Sequence, residues 1–94
     1  MFNILVIEDN KNMRKLICAT LKQNGYSTFE AEDGEVGLDV LDTTHIDLII
    51  CDIMMPNMDG YEFTETLRDG HCETPIIIVT AKEQLEDKKK GFSI

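Results

Sequence analysis

Leu48-Ile49-Ile50-Cys51-Asp52 is a short apolar run that ends on a carboxylate, and it decides the fold. The pattern recurs in Ile4-Leu5-Val6-Ile7-Glu8-Asp9 and again in Ile76-Ile77-Ile78-Val79-Thr80. Runs this short, and rich in Ile, Leu and Val, are typical of parallel strands that are buried on both faces. We therefore predict three buried strands, each with polar side chains at its carboxyl end.

Helical segments separate these strands. Asn10 is a suitable N-cap for a first helix, on whose apolar stripe we expect Met13 in the core. The remaining predicted elements are an exposed edge strand over Tyr26–Ala31, a second helix after Asp33-Gly34, a third strand over Ile46–Cys51, a third helix over Tyr61–Arg68, a fourth strand after Pro75 and the opening of a fourth helix over Glu83–Lys90. Alternating β-α units with right-handed crossovers predict an α/β, flavodoxin-like doubly wound parallel sheet in the order 2-1-3-4.

Composition narrows the class of protein. A length of 94 residues fits one domain, spanning 1–94. The formal net charge of -9 argues against direct binding of nucleic acid or of an anionic membrane. Three cysteines without a repeated spacing indicate reduced thiols rather than a disulfide framework or a zinc site. The sequence has no cationic leader and no apolar run of membrane-spanning length, so we expect a cytoplasmic protein.

The polar residues at the strand ends predict a cation site. The order 2-1-3-4 puts Glu8 and Asp9 beside Asp52, with Thr80 on the neighbouring strand. Each acid alone is more often a helix cap or a turn former, but the joint pattern rarely arises by accident. Clustered carboxylates favour Mg²⁺, and one oxygen of Asp52 could bind the metal while the other attacks phosphorus. The Thr80 hydroxyl could then donate to the new phosphoryl group.

Three segments resemble the receiver domain of two-component response regulators. They are 4–10, 47–60 and 75–81, and the middle one, which runs through Asp52 to Gly60, is the most specific. The similarity extends from residue 1 to the end of the sequence.

The resemblance implies a role for each residue of the predicted site. Asp52 would accept a phosphoryl group from a histidine kinase or from a small phosphoryl donor. Glu8, Asp9 and Asp52 would hold Mg²⁺, together with the backbone carbonyl of Met54. Thr80 would be the switch hydroxyl. Such a domain catalyses its own phosphorylation and dephosphorylation and is a signalling switch rather than a metabolic enzyme.

The family pattern continues beyond the sequence given, which ends at Ile94, shortly after the predicted opening of the fourth helix. We therefore expect an incomplete receiver without the fifth β-α unit or the family's lysine after the fifth strand, and hence slow or weak phosphorylation. The edge of the fourth strand would be open to homodimerisation or strand exchange.

Two other functions stay open at this point. One is a phosphorylation-impaired receiver that acts as a dimerising or domain-swapped interaction module. The other is a Mg²⁺-dependent phosphatase, which is disfavoured because Ile53, Met54 and Met55 follow Asp52 where a second acid is expected.

Overall fold

Strands and helices alternate in the computed structural model, which describes residues 1–53 and 58–79. The elements are β1 (Asn3–Ile7), α1 (Lys11–Gln23), β2 (Ser27–Ala31), α2 (Gly34–Thr43), β3 (Leu48–Asp52), α3 (Gly60–Asp69) and β4 (Ile76–Val79). Met54, Thr80 and the predicted fourth helix lie outside the described residues.

The sheet confirms the predicted topology. All neighbouring strands are parallel, and their order is β2-β1-β3-β4. Ile7, the last residue of β1, is in register with Ala31 of β2 and Cys51 of β3. The carboxyl ends of β1, β2 and β3 therefore finish level with one another at one edge of the sheet.

The core has two layers, one on each face of the sheet. Four consecutive residues of β1, Ile4–Ile7, are buried, as expected for a central strand. Leu5 and Ile7 face α2 and α3, and the side chain of Phe63 is fully buried there. Ile4 and Val6 face α1, where Cys18 is buried. The prediction of an exposed second strand is confirmed, because most of β2 is only half-buried at the edge of the sheet.

The fourth strand differs from its prediction. We expected burial on both faces, but Ile77 is 49% exposed and Val79 is 36% exposed. Their register partners on β3 are Ile50 and Asp52, so Ile77 shares the α1 side of the sheet with Ile50. Within residues 1–53 and 58–79, α1 packs mainly against β2 and β1.

The expected burial of Met13 is wrong, because this side chain is 43% exposed. The buried side of α1 instead carries Arg14, Ile17, Cys18 and Leu21, at spacings of three and four residues. Two overlapping apolar stripes were compatible with the sequence, and packing on the sheet selects the one that includes the aliphatic part of an arginine.

Asparagine and aspartate side chains cap the three described helices. Asn10 accepts the backbone N–H of Met13, as predicted, at 2.9 Å. Asp33 and Asp59 act in the same way at the starts of α2 and α3. No helix within residues 1–53 and 58–79 is long and apolar enough to cross a membrane.

Candidate functional site

Three carboxylates meet at the carboxyl edge of the sheet. Glu8 and Asp9 follow Ile7, and Asp52 follows Cys51, the residue in register with Ile7 on the adjacent strand. One carboxylate oxygen from each residue lies within 4.8 Å of the other two. The expected clustering of these side chains is therefore found, and it follows directly from the register of two parallel strands.

The three acids differ in their exposure to water. Glu8 and Asp52 are buried, whereas Asp9 is exposed at the rim of the cluster. The backbone N–H of Asn10 donates to Oε2 of Glu8 at 3.2 Å, so the residue that caps α1 also orients this carboxylate. The cluster thus has two buried carboxylates and an open side, where the third carboxylate is exposed to water.

Burial and crowding oppose the ionisation of Glu8. Burial raises the pKa of Glu8, the neighbouring carboxyls of Asp9 and Asp52 raise it further, and together they bring it to about 7 although the Asn10 N–H acts in the opposite direction. Burial and the neighbouring carboxyls thus both disfavour the charged form of Glu8. A divalent cation would favour the charged form instead.

The donor set suits a hard cation. Carboxylate oxygens are the ligands that Mg²⁺ prefers, at about 2.0–2.1 Å from the ion, so opposite ligands lie about 4.2 Å apart. Oxygens of Glu8, Asp9 and Asp52 that are already within 4.8 Å of one another need only small side-chain movements to share one ion. The residues present therefore fit a magnesium site with room for water or a phosphate oxygen.

The start of α3 packs against the end of β3, next to Asp52. The backbone N–H of Gly60 donates to the carbonyl of Ile53 at 2.9 Å. A Cβ atom on Gly60 would lie 3.1 Å from the carbonyl oxygen of Asp52 and 3.1 Å from Cα of Ile53, so a side chain would crowd the backbone of β3 at this point. Asp59 caps the helix and is not one of the three clustered acids.

The thiol beside Asp52 is not a competing nucleophile. Burial raises the pKa of Cys51 to about 12, and the charges of Asp52, Asp59 and Glu8 add to the effect. A thiol with so high a pKa stays neutral and unreactive near pH 7. The Cys51 thiol is therefore unsuited to nucleophilic attack at the end of β3.

Arg14 is a residue of the site that the sequence reasoning did not single out. Its guanidinium contacts the backbone of Glu8 from the first turns of α1. The available signal was its spacing with Ile17, Cys18 and Leu21, which puts a cation on the buried face of the helix. Two other predicted site residues, Met54 and Thr80, lie outside the described part of the chain.

Comparisons with known proteins agree on one family. The family model described as "Response regulator receiver domain" matches residues 4–94. The heme response regulator HssR of Staphylococcus epidermidis is 36% identical over 92 residues, which are 98% of this chain and 41% of the relative. This chain thus spans about two fifths of the length of that curated relative.

Solved structures give the same result. The receiver domain of the Francisella response regulator 1452 superposes with a TM-score of 0.82 at 33% identity, over 99% of this chain and 77% of its own. The response regulator TrrA of Thermotoga maritima, solved in complex with Mg(2+)-BeF, has a TM-score of 0.82 at 36% identity, over 89% of this chain and 73% of its own.

Proposed function

Because the chain belongs to the response regulator receiver domain family, we propose that it is a phosphoacceptor switch in which Asp52 receives a phosphoryl group in the presence of Mg²⁺. The donor is a histidine kinase or a small phosphoryl compound. The three clustered acids, Glu8, Asp9 and Asp52, carry this proposal, because they meet where a parallel α/β sheet binds its ligands.

The proposed reaction is the transfer of one phosphoryl group. A carboxylate oxygen of Asp52 forms a bond to phosphorus, and the bond from phosphorus to the donor atom breaks. That atom is a nitrogen in a phosphohistidine and an oxygen in acetyl phosphate, so imidazole or acetate leaves with the electron pair. Carboxylates act as nucleophiles of this kind in aspartyl-phosphate enzymes. The buried position of Asp52 keeps water from surrounding the acceptor oxygen.

Glu8 and Asp9 are the proposed metal ligands, with Asp52 and the backbone carbonyl of Met54 completing the protein's share. When bound, Mg²⁺ supplies positive charge that stabilises the transferring phosphoryl oxygens. Asn10 orients Glu8 through its N–H, and the exposed position of Asp9 leaves the site open to the donor. Thr80, which follows the register partner of Asp52, is the proposed switch hydroxyl.

The biological setting is part of the same proposal. The relative HssR is named as a response regulator, and a further relative, 40% identical over 87 residues, is named as the sensor histidine kinase RcsC of Escherichia coli. Receivers therefore occur among both kinds of signalling protein. We place this domain in the cytoplasm, as a signalling switch rather than a metabolic enzyme, and the net charge of -9 favours basic partner surfaces over nucleic acid.

Phosphorylation in vitro tests the proposal. The chain is incubated with Mg²⁺ and acetyl phosphate, and its intact mass is measured with and without a chelator. We expect one phosphoryl adduct that needs Mg²⁺ and is lost in Asp52→Asn. The matched control is Asp59→Asn, which removes an aspartate that caps α3 outside the cluster and should leave the adduct in place. A folded wild-type chain without an adduct would contradict the proposal.

Self-association through β4 is a second candidate function. The exposed side chains of Ile77 and Val79 favour it, because β4 is the end strand of the sheet formed by residues 1–53 and 58–79, and apolar residues on an edge strand promote pairing with another chain. This function does not need Asp52 or a metal, so the two candidates respond to different variants.

A further inference from the structure

Arg14 joins two parts of the molecule that flank the acid cluster. Its Nη1 donates to the backbone carbonyl oxygen of Glu8 at 2.8 Å, and its Nε donates to Oε1 of Glu30 at 3.0 Å. The side chain is only 14% exposed. One guanidinium thus links α1 to the end of β1 and to the neighbouring strand β2.

Hydrogen bonds hold both backbone polar groups of Glu8. The N–H of Glu8 donates to the carbonyl of Ala31 at 3.0 Å, which continues the pairing of β1 with β2. The carbonyl oxygen of Glu8 accepts a hydrogen bond from Nη1 of Arg14 at 2.8 Å. Because this carbonyl belongs to the peptide unit that joins Glu8 to Asp9, its orientation helps to set the directions in which both side chains leave the backbone.

Glu30 anchors the guanidinium. It accepts from Arg14 at Oε1 and from Lys15 at Oε2, the latter at 3.1 Å. Hydrogen bonds from Lys15 and then from Arg14 hold the pKa of Glu30 below its usual range, so the anchor is charged at neutral pH. Lys15 is 59% exposed and bonds the same carboxylate of Glu30, which makes it a natural control for loss of a cation at this anchor.

We propose that Arg14 is a positioning residue for the cation site, which holds the Glu8–Asp9 peptide unit in the orientation that lets both carboxylates bind one divalent ion. The proposal rests on the metal role given above for Glu8 and Asp9. A planar guanidinium can donate to a carbonyl and a carboxylate at the same time, whereas an ammonium is a point charge that cannot span both.

The sign of the expected effect separates positioning from simple electrostatics. Arg14 is a cation near a cation site, so its charge alone opposes metal binding, and removing that charge would tighten binding. Loss of the group that orients the ligands acts in the opposite direction. Groups that orient metal ligands contribute about tenfold or more to metal affinity. We therefore expect positioning to dominate and the variant to bind the ion more weakly.

The test measures Mn²⁺ affinity of the purified chain, with Mn²⁺ as a paramagnetic substitute for Mg²⁺, by titration in an EPR spectrometer. Arg14→Met is expected to weaken binding about tenfold. Lys15→Met should change it by less than about twofold, because exposed ion pairs contribute little. Arg14→Lys keeps the charge that opposes the metal but cannot span both acceptors, so it should lose at least as much affinity as Arg14→Met. Thermal unfolding of each variant shows that the folded state is being compared.

Glu30→Ala provides a second route if Arg14→Met fails to fold. It leaves the contact between Arg14 and Glu8 possible but removes the anchor, and we expect a loss of about threefold or more. Affinity that is unchanged or tighter in Arg14→Met, or a full rescue by Arg14→Lys, would overturn this proposal alone. If Arg14→Met does not fold, unchanged affinity in Glu30→Ala would do the same. No Mn²⁺ binding by the wild-type chain would overturn both this proposal and the metal role on which it rests.

Discussion

At the residue scale, Glu8 has a pKa close to neutral pH, so its protonation state changes within the range in which the protein is studied. It is buried, it lies beside two other carboxyls, and its pKa is raised to about 7 by burial first and by those neighbours second. In the unfolded chain the same side chain has a pKa near 4.5. The folded state therefore binds more protons than the unfolded state across the interval between these two values, and stability must depend on pH there.

Without divalent cations, the free energy of unfolding should fall as the pH rises from about 4.5 through about 7. Glu8→Gln removes this dependence because it cannot ionise. At pH 8 we expect the variant to be more stable than the wild type by on the order of 1 kcal/mol, discounted because water reaches the open side of the cluster. Urea unfolding at pH 5 and pH 8, in chelator, measures the difference.

Glu65→Gln is the control for the Glu8 experiment. It removes one exposed acid of α3 from the same strongly acidic chain and tests for a general effect of net charge. A wild-type stability that does not fall between pH 5 and pH 8, or an equal gain in Glu65→Gln, would contradict the assigned origin of the Glu8 pKa.

Contacts between residues close together in the sequence were easier to predict than contacts between distant residues. Asn10 could be predicted as a helix cap because its partner, Met13, is three positions away. The clustering of Glu8 with Asp52 could also be predicted, because strand order follows from the alternation of β and α units. The link from Arg14 to Glu30 could not, since it spans 16 positions and depends on how α1 rotates on the sheet.

At the element scale, Gly37 allows α2 to pack closely on β1. Gly37 is buried on α2, and a Cβ atom there would lie 2.6 Å from Cδ1 of Ile7 and 3.5 Å from a ring carbon of Phe63. A glycine weakens a helix, which is what the sequence suggests at this position. The structure explains its presence, because a Cβ atom here would overlap the buried side chain of Ile7.

Gly37→Ala should therefore destabilise the chain by about 1 kcal/mol, because the overpacking cost exceeds the gain in helix propensity. Ile7→Val removes the colliding Cδ1 atom and costs about 0.5–1.5 kcal/mol by itself. The double variant should be destabilised by about 1–2 kcal/mol less than the sum of the two single substitutions, since the new methyl group occupies the vacated space. Urea unfolding of the four chains gives the coupling, and simple additivity would contradict the contact.

Helix and strand types were predictable, but details of burial were not. The predicted α1 stripe put Met13 in the core, whereas packing on the sheet buries Arg14 and Cys18. The apolar run of β4 predicted burial on both faces, yet Ile77 is half exposed. Hydrophobic pattern alone reports which faces can be buried; which ones are buried depends on where neighbouring helices lie.

At the scale of the whole molecule, the exposed side chains of β4 favour self-association. If Ile77 promotes pairing between chains, the wild type should form concentration-dependent dimers that persist without Mg²⁺ and without a phosphoryl donor. Ile77→Lys should shift the population to monomer, and the control Leu16→Lys changes an exposed leucine of α1 elsewhere on the surface. Sedimentation velocity at several concentrations measures the population, and a monomeric wild type at all of them would contradict self-association.

At the scale of the whole molecule, the proposed function depends on one reaction, the transfer of a phosphoryl group to the end of β3. An aspartyl-phosphate is an acyl phosphate, which borohydride reduces to an alcohol, so a phosphorylated aspartate becomes homoserine. The most direct measurement is to phosphorylate the chain with Mg²⁺ and acetyl phosphate, reduce it, and locate homoserine by peptide mass spectrometry. We predict homoserine at Asp52 and nowhere else, and none when a chelator is present. Homoserine at Asp9 or Asp59, or its complete absence from a folded chain, would contradict the central claim.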